Sequence, residues 1–172
     1  MTRHIVLLRG INVGGKNLLP MKELARLCTA LGASNVRTFI QSGNVALDIA
    51  HAATLAHDLQ QAICHEFSLT VPVVLRTAAE LAEVLAHNPW PERDLNWLSV
   101  AFLAGTPTPA QVAALDPERS PPDVFQVRGR EVYLHTPNGL GRTKLTNAWL
   151  DSKLGTVSTV RNWRTVQTLV DF

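Results

Sequence analysis

The chain has 172 residues, of which 46% are hydrophobic and 17% charged. This length and composition exclude a disordered or fibrous protein, and they suffice for one domain or for two small halves that share a core. The formal net charge of +2 is well below the net charge that a dedicated nucleic-acid-binding protein usually carries. No apolar run reaches the roughly 20 residues that a membrane-spanning helix needs. We therefore expect a cytoplasmic protein with no membrane partner, for which nucleic acid is a disfavoured ligand.

The first half of the sequence predicts the element order β-α-β-β-α-β. Strands are predicted over residues 4–9, 35–40, 44–47 and 71–77, and helices over residues 21–31 and 55–67. Pro20 and Gly32 suit the start and the end of the first helix, and Gln41-Ser42-Gly43 suits a hairpin turn. This order is the split βαβ of ferredoxin-like folds, in which two helices cover one face of a four-stranded antiparallel sheet.

The second half predicts a smaller set of helices and strands. Thr77 and Glu80 form a capping box for a helix that Pro89 ends. A strand over 98–103, a helical turn over 109–115, a hairpin over 124–127 and 131–135, and two helices before and after Gly155 follow. We expect an α+β protein with subdomains at 1–77 and 78–172, or one single domain, and we detect no internal repeat.

The cysteines and histidines predict neither a disulfide nor a metal site. Cys28 and Cys64 each lie within helical periodicity, and we interpret them as buried free thiols of an intracellular protein. The histidines form no metal-ligand pattern, which favours solvent-facing or locally bonded side chains. They are His4, His51, His57, His65, His87 and His135. The sequence therefore indicates no metal and no cofactor.

The loop from Gly10 to Asn17 matches the first seven positions of a phosphate-binding P-loop, G-x-x-x-x-G-K. The eighth position breaks the match, because Asn17 replaces the hydroxyl residue that would bind Mg²⁺. Pro20 also places the start of the helix too late for its N–H groups to converge on a phosphate. We predict that this loop is not a nucleotide triphosphate site.

Two interpretations of this loop stay open. Its glycines permit a close backbone approach, Lys16 supplies charge and Asn12 can donate or accept hydrogen bonds, so the loop could hold an anion. Alternatively, the glycines satisfy positive φ angles and the asparagines hold the loop together.

Two further segments carry positive charge. Gly139 to Lys144 is glycine-rich, contains Arg142 and leads into a helix, whose N-terminus attracts anions. Arg161 to Thr165 is basic and aromatic, but the helical spacing of Trp163 favours a position in the core over base stacking. Binding of RNA in the manner of an RRM is disfavoured, because strands one and three lack the required aromatic residues.

Three motifs together resemble one known family. Arg9 to Asn17, Gln41-Ser-Gly-Asn-Val and Arg161-Asn-Trp with Thr165-Val166 resemble the marks of a bacterial family catalogued as domain of unknown function 1697. The resemblance spans almost the whole chain and implies a ferredoxin-like first half, a second α+β half and no established activity. Arg164 and Thr143 depart from it, because Asn and Ser are expected there. The family's marked residues fall on Arg9, Gly10, Asn12, Gly14, Gly15, Asn17, Gln41, Ser42, Gly43, Asn44, Arg161, Asn162 and Trp163.

The candidate ligand-binding residues come from these loops and from the C-terminal cluster. They are Arg9, Asn12, Gly14, Gly15, Lys16, Asn17, Gln41, Ser42, Asn44, Arg142, Lys144, Arg161 and Asn162. Our first hypothesis is that they receive a small anionic or phosphate-bearing ligand. The topology would place the loop after the first strand and the hairpin at opposite ends of the sheet, so a polar rim shared by both is the more demanding expectation.

The alternative is a protein-interaction or self-associating module in which the motifs are structural. In that case Trp90 or Trp97 would lie in an exposed apolar patch. An enzyme that acts on a nucleotide or sugar phosphate is a third and weaker hypothesis. The sequence predicts no reaction and no oligomeric state.

Overall fold

A computed structural model describes all 172 residues, as eight β-strands and six α-helices. The first half contains β1 (Thr2–Leu8), α1 (Met21–Ala30), β2 (Ser34–Phe39), β3 (Asn44–Ile49), α2 (Leu55–Phe67), β4 (Val73–Thr77) and α3 (Ala78–Ala86). A short 3-10 helix (Leu95–Trp97) precedes β5 (Leu98–Leu103), α4 (Pro109–Ala113), β6 (Val124–Arg128), β7 (Glu131–His135), α5 (Asn147–Leu154), β8 (Ser158–Asn162) and α6 (Trp163–Val170).

The first sheet has the strand order β2-β3-β1-β4, and all its pairs are antiparallel. β1 lies in the interior of the sheet because its apolar run, Ile5 to Leu8, is fully buried on both faces. One face of the sheet packs on the apolar stripes of α1 and α2, which include Leu24 and Leu59. The predicted ferredoxin-like first half is confirmed.

The second sheet has the order β6-β7-β5-β8, which repeats the order of the first. Its elements follow one another along the chain in the same order, β5-α4-β6-β7-α5-β8, so both halves have β-α-β-β-α-β topology. The expectation that the chain has no repeat is therefore wrong at the level of structure. The repeat could not be recognised in the sequence because α4 has only five residues and because β8 was not predicted.

The final strands of the two halves end in the same way. β4 ends in the buried Arg76 followed by Thr77, and β8 ends in the buried Arg161 followed by Asn162. A helix begins directly after each strand. The predicted capping box is present at the first, where Thr77 N donates to Glu80 Oε2 at 2.8 Å and Glu80 N donates to Thr77 Oγ1 at 3.1 Å.

The chain divides by its contacts into two units. The first comprises Met1–Ala82 with Leu169–Phe172, and the second comprises Glu83–Thr168. Within the first unit, the carbonyl oxygen of Phe172 accepts hydrogen bonds from Arg3 and Arg37, at 3.0 and 2.8 Å. The end of the chain is thus fixed to its beginning, and the predicted division after residue 77 stays a prediction.

The two cysteines differ in their surroundings. Cys28 is buried, and burial raises the pKa of its thiol to about 12. Cys64 is exposed, so the prediction that both thiols are buried is wrong for this residue. It follows Ile63, and so it lies outside the buried stripe that Leu55, Leu59 and Ile63 form at four-residue spacing. Both cysteines are free thiols.

None of the helices has the length and hydrophobicity that a membrane crossing requires. No three histidine, cysteine, aspartate or glutamate side chains are grouped so that they could hold a metal ion.

Candidate functional site

The loop after β1 folds into a small hairpin of its own. Asn12 N donates to Asn17 O at 3.1 Å, and Lys16 N donates to Val13 O at 3.0 Å. Gly14 and Gly15, at the tip, have φ angles of 57° and 73°, which suits the two central residues of a type I′ turn. Glycine therefore suits both positions because it adopts the positive φ angles that this turn requires. Residues 13–18 are all exposed.

The asparagine side chains stabilise this loop from within. Asn12 Oδ1 accepts from Leu19 N at 2.8 Å, and Asn12 Nδ2 donates to Leu19 O at 2.9 Å and to Gln41 O at 2.8 Å. Asn17 Nδ2 donates to Gly10 O at 2.8 Å. Both asparagines have left-handed φ angles, near 50°. These bonds support the structural interpretation of the asparagines, because their amide groups are already engaged by the main chain.

The loop and the β2–β3 hairpin lie side by side, so the expectation that they occupy opposite ends of the sheet is wrong. Since β3 runs antiparallel to β1, its first residue, Asn44, pairs with Leu7 near the end of β1. Leu8 N donates to Gly43 O at 2.9 Å. A Cβ atom on Gly43 would lie 2.7 Å from Leu8 Cβ and 3.1 Å from Ile11 Cδ1, so this contact requires glycine.

The surface of the loop and hairpin is more apolar than the residue types suggested. Val13 and Leu18 are each 64% exposed, and Ile40 is 52% exposed. Ile40 also has a left-handed φ of 50°, which is uncommon for a β-branched residue. Asn44 is buried, and its Nδ2 donates to Phe39 O and Ser42 Oγ. The three asparagines therefore form hydrogen bonds within the loop and hairpin, while Gln41, Lys16 and the aliphatic side chains are exposed.

The loop does not have the arrangement of a P-loop. α1 begins at Met21, with Pro20 at its N-cap position, so no helix starts at Lys16. The N–H groups of α1 are accordingly separated in sequence from the glycines that would cradle a phosphate.

The second glycine-rich segment lines one part of a cavity at the start of α5. The cavity has a volume of about 250 Å³ and is lined by Leu140, Thr143, Leu145, Thr146, Asn147 and Val160. Thr146 is the N-cap of α5, since its Oγ1 accepts from Trp149 N at 3.2 Å. The side chains of Arg142 and Lys144 are exposed and make no hydrogen bond or ion pair with the protein.

The C-terminal cluster is divided between the core and a helix cap. Trp163 is 4% exposed, and its ring lies 6.5 Å from that of Tyr133, which confirms that it belongs to the core. Arg161 is buried, and burial lowers its pKa to about 10. Its Nη1 donates to Thr159 Oγ1 and to Val160 O, both at 2.8 Å. Asn162 Oδ1 accepts from Thr165 N at 2.9 Å and so caps α6.

Arg161 does not belong to the cavity at α5. Val160 lines that cavity, and successive residues of a strand face opposite sides of the sheet, so Arg161 lies on the other face. Apart from Arg161 and Asn162, the candidates form two separate groups: the loop with the β2–β3 hairpin in the first unit, and the segment 139–147 in the second.

His135 is a buried polar residue that the sequence did not single out. Its Nδ1 accepts from Arg93 Nη1 at 3.3 Å, and its Nε2 is buried without any hydrogen-bond partner. Burial and the charge of Arg93 lower the pKa of this imidazole. The expectation of a solvent-facing or locally bonded histidine is wrong here, because Arg93 is distant in sequence. The strand β7 is buried on both faces from Val132 to His135, so the continuous run before His135 was the signal that could have indicated its burial.

Comparison with known proteins identifies relatives but no activity. A solved structure described as that of conserved bacterial protein SP0830 from Streptococcus pneumoniae is similar, with a TM-score of 0.74 and 25% sequence identity. The similarity covers 99% of this chain and 97% of that one. No curated protein sequence matches.

The family comparison covers most of the chain. Residues 1–133 match the model of a family described as "Protein of unknown function (DUF1697)". This match agrees with the resemblance that the loop and hairpin motifs indicated. The chain therefore belongs to the DUF1697 family.

Proposed function

We propose that this protein binds a small anionic ligand, of the size of a phosphosugar, in the cavity at the start of α5. The observation that carries the proposal is the cavity of about 250 Å³ whose wall contains Thr143, Thr146 and Asn147. Arg142 and Lys144, in the same segment, have side chains without a partner in the protein. Unpaired cations beside a helix N-terminus favour an anion.

The first amides of α5 supply further hydrogen-bond donors. The first N–H groups of a helix have no partner within the helix. Thr146 accepts from Trp149 N, which leaves the N–H groups of Asn147 and Ala148 for a ligand. The positive end of the helix dipole adds to the charges of the two basic side chains.

The other walls of the cavity indicate the chemistry of the uncharged part of the ligand. Leu140, Leu145 and Val160 are apolar, so part of the ligand would be apolar or would present the face of a sugar. A volume of about 250 Å³ lies just below the usual range of about 300 to 1,000 Å³ for small-molecule pockets, which favours a compact ligand. Ligand binding by the candidates of the first unit, from Arg9 to Asn44, stays a prediction.

Thermal-shift measurements with phosphate, phosphosugars and nucleotides test this proposal. We expect at least one of these compounds to raise the melting temperature of the wild type, and the double variant Arg142→Gln/Lys144→Gln to lose that rise. Lys153→Gln, an exposed lysine at the other end of α5, is the matched control and should keep it. A rise that persists in the double variant, or no rise with any compound, would contradict the proposal.

A second candidate function is association with another protein or with a second copy of the chain. The exposure of Trp97, at 43%, and of Leu95, at 37%, within one 3-10 helix supports it, because neighbouring exposed apolar side chains that form a patch favour an interaction surface. Light scattering over a range of concentrations, on the wild type and on Trp97→Ser, tests self-association. A mass that equals one chain at every concentration would exclude the second copy.

A further inference from the structure

One end of the first sheet is formed by three connections that contain no acidic residue. They are residues 9–20, 40–43 and 68–72, and we call them together the acid-free end. Main-chain hydrogen bonds join them, from Leu8 N to Gly43 O and from Arg9 N to Pro72 O. Because Arg9 and Lys16 are the ionisable residues of this surface, its charge is positive and favours an anionic partner.

The acid-free end also exposes aliphatic side chains, on a loop that is held by its own hydrogen bonds. Val13 and Leu18 flank the tip on its two sides, and Ile40 stands in the adjoining hairpin turn. The hydrogen bonds of Asn12 and Asn17 hold this conformation without a ligand. Little ordering entropy is therefore lost when the tip is buried against a partner.

We propose that the acid-free end binds the surface of an anionic lipid bilayer, with Val13 and Leu18 inserted among the acyl chains and Lys16 among the headgroups. Surface binding of this kind depends on buried apolar area and on the attraction of basic residues to anionic lipids. It needs no membrane-spanning helix, so it is compatible with the helices of this protein, and it departs from the expectation of no membrane partner, which rested on the lack of a spanning segment. This inference goes beyond the proposed function, since it concerns a different unit and different residues.

The side chains of the tip favour a bilayer over the other anionic partners. Protein interfaces concentrate their binding energy in Trp, Tyr and Arg, whereas Val and Leu are under-represented there. Single-stranded nucleic acids need aromatic side chains on which bases stack, and residues 9–20 contain none. Aliphatic side chains enter a hydrocarbon layer without a complementary pocket, so Val13 and Leu18 suit a bilayer.

Co-sedimentation of the full chain with vesicles tests this proposal. We expect binding to vesicles of phosphatidylcholine with phosphatidylglycerol, and weaker binding to phosphatidylcholine alone, because the headgroup charge then disappears. Val13→Ser/Leu18→Ser should lower the partition coefficient at least about tenfold, since two exposed aliphatic side chains no longer insert. Lys16→Glu should weaken binding to the anionic vesicles and leave binding to the neutral ones unchanged.

The control variant is Val157→Ser, which removes an exposed aliphatic residue of the second unit, 37% exposed. It should bind vesicles as the wild type does, and circular dichroism checks that the double variant and the control are folded. Absence of wild-type binding, or equal binding by Val13→Ser/Leu18→Ser, would overturn the proposal. Binding to soluble polyglutamate as tight as to vesicles would also overturn it, in favour of an acidic protein partner.

Discussion

The imidazole of His135 is buried with only one of its two ring nitrogens bonded. Since Arg93 can only donate, Nδ1 is the acceptor and the proton is on Nε2, which has no acceptor. A second proton would have to be placed on Nδ1, directly against the guanidinium group. Asp94 and Asp123 act in the opposite direction, but burial and Arg93 have the larger effect and lower the pKa.

The lowered pKa of His135 predicts acid destabilisation. In the unfolded chain the imidazole takes up its proton near its ordinary pKa of about 6.5, whereas the folded protein takes it up only at lower pH. The free energy of unfolding should therefore fall as the pH drops below about 6.5, until the folded imidazole is also protonated.

Urea unfolding at about pH 7.5 and about pH 5 measures this effect. His135→Asn, whose Oδ1 can still accept from Arg93, should show a smaller difference than the wild type between the free energies of unfolding at the two pH values. His57→Asn, on the exposed face of α2, is the control and should keep it. An unchanged difference in His135→Asn would show that other groups cause the pH dependence.

The conformation of the loop between β1 and α1 depends on a few side chains. Asn12 bonds three main-chain groups on two segments, and Ile11 and Leu19 are buried on either side of the exposed tip. The loop therefore resists deformation although six consecutive residues of it are exposed.

Asn12→Ala should destabilise the protein by about 1 to 3 kcal/mol, because it leaves the part-buried Leu19 N–H and two carbonyl groups without their partner. Alanine also adopts the left-handed φ of 54° less readily than asparagine does. Lys16→Ala, at the exposed tip, should change the stability by less than about 0.5 kcal/mol. Chemical denaturation of both variants provides the comparison, and equal stabilities would contradict the role of Asn12.

Elements with an apolar stripe could be predicted closely from the sequence. α2 and β5 have the predicted bounds, since Leu55, Leu59 and Ile63 recur at helical spacing and 98–103 is a continuous apolar run. β8 could not be predicted, because its buried residues are polar, Ser158, Thr159 and Arg161. The loop motif was visible, but the groups that Asn12 and Asn17 bond depend on main-chain geometry that no spacing reveals.

At the scale of the whole molecule, the last residue belongs to the first unit. The ring of Phe172 lies 5.5 Å from that of Phe39, in an edge-on arrangement, and the Arg37 guanidinium stands 4.1 Å above it. These contacts hold Phe172 against the edge strand β2 within the first unit.

Phe172→Ala should lower the stability by about 1 to 2 kcal/mol, because both the aromatic pair and the cation–π contact are lost. Asp171→Ala, which is exposed, is the matched control. Hydrogen exchange should show faster opening of β2 in Phe172→Ala. Protection of β2 equal to that of the wild type would mean that the main-chain contacts of the C-terminus suffice.

The repeated topology has a consequence for the loop. If a chain carries two copies of one strand order, each connection has a counterpart, and the counterpart of residues 9–20 is residues 104–108. The shorter connection joins a strand to a helix within the same strand order, so this topology does not require a connection as long as residues 9–20. A chimera in which residues 104–108 replace residues 9–20 would therefore measure how much of the stability of the first sheet depends on the length of this connection.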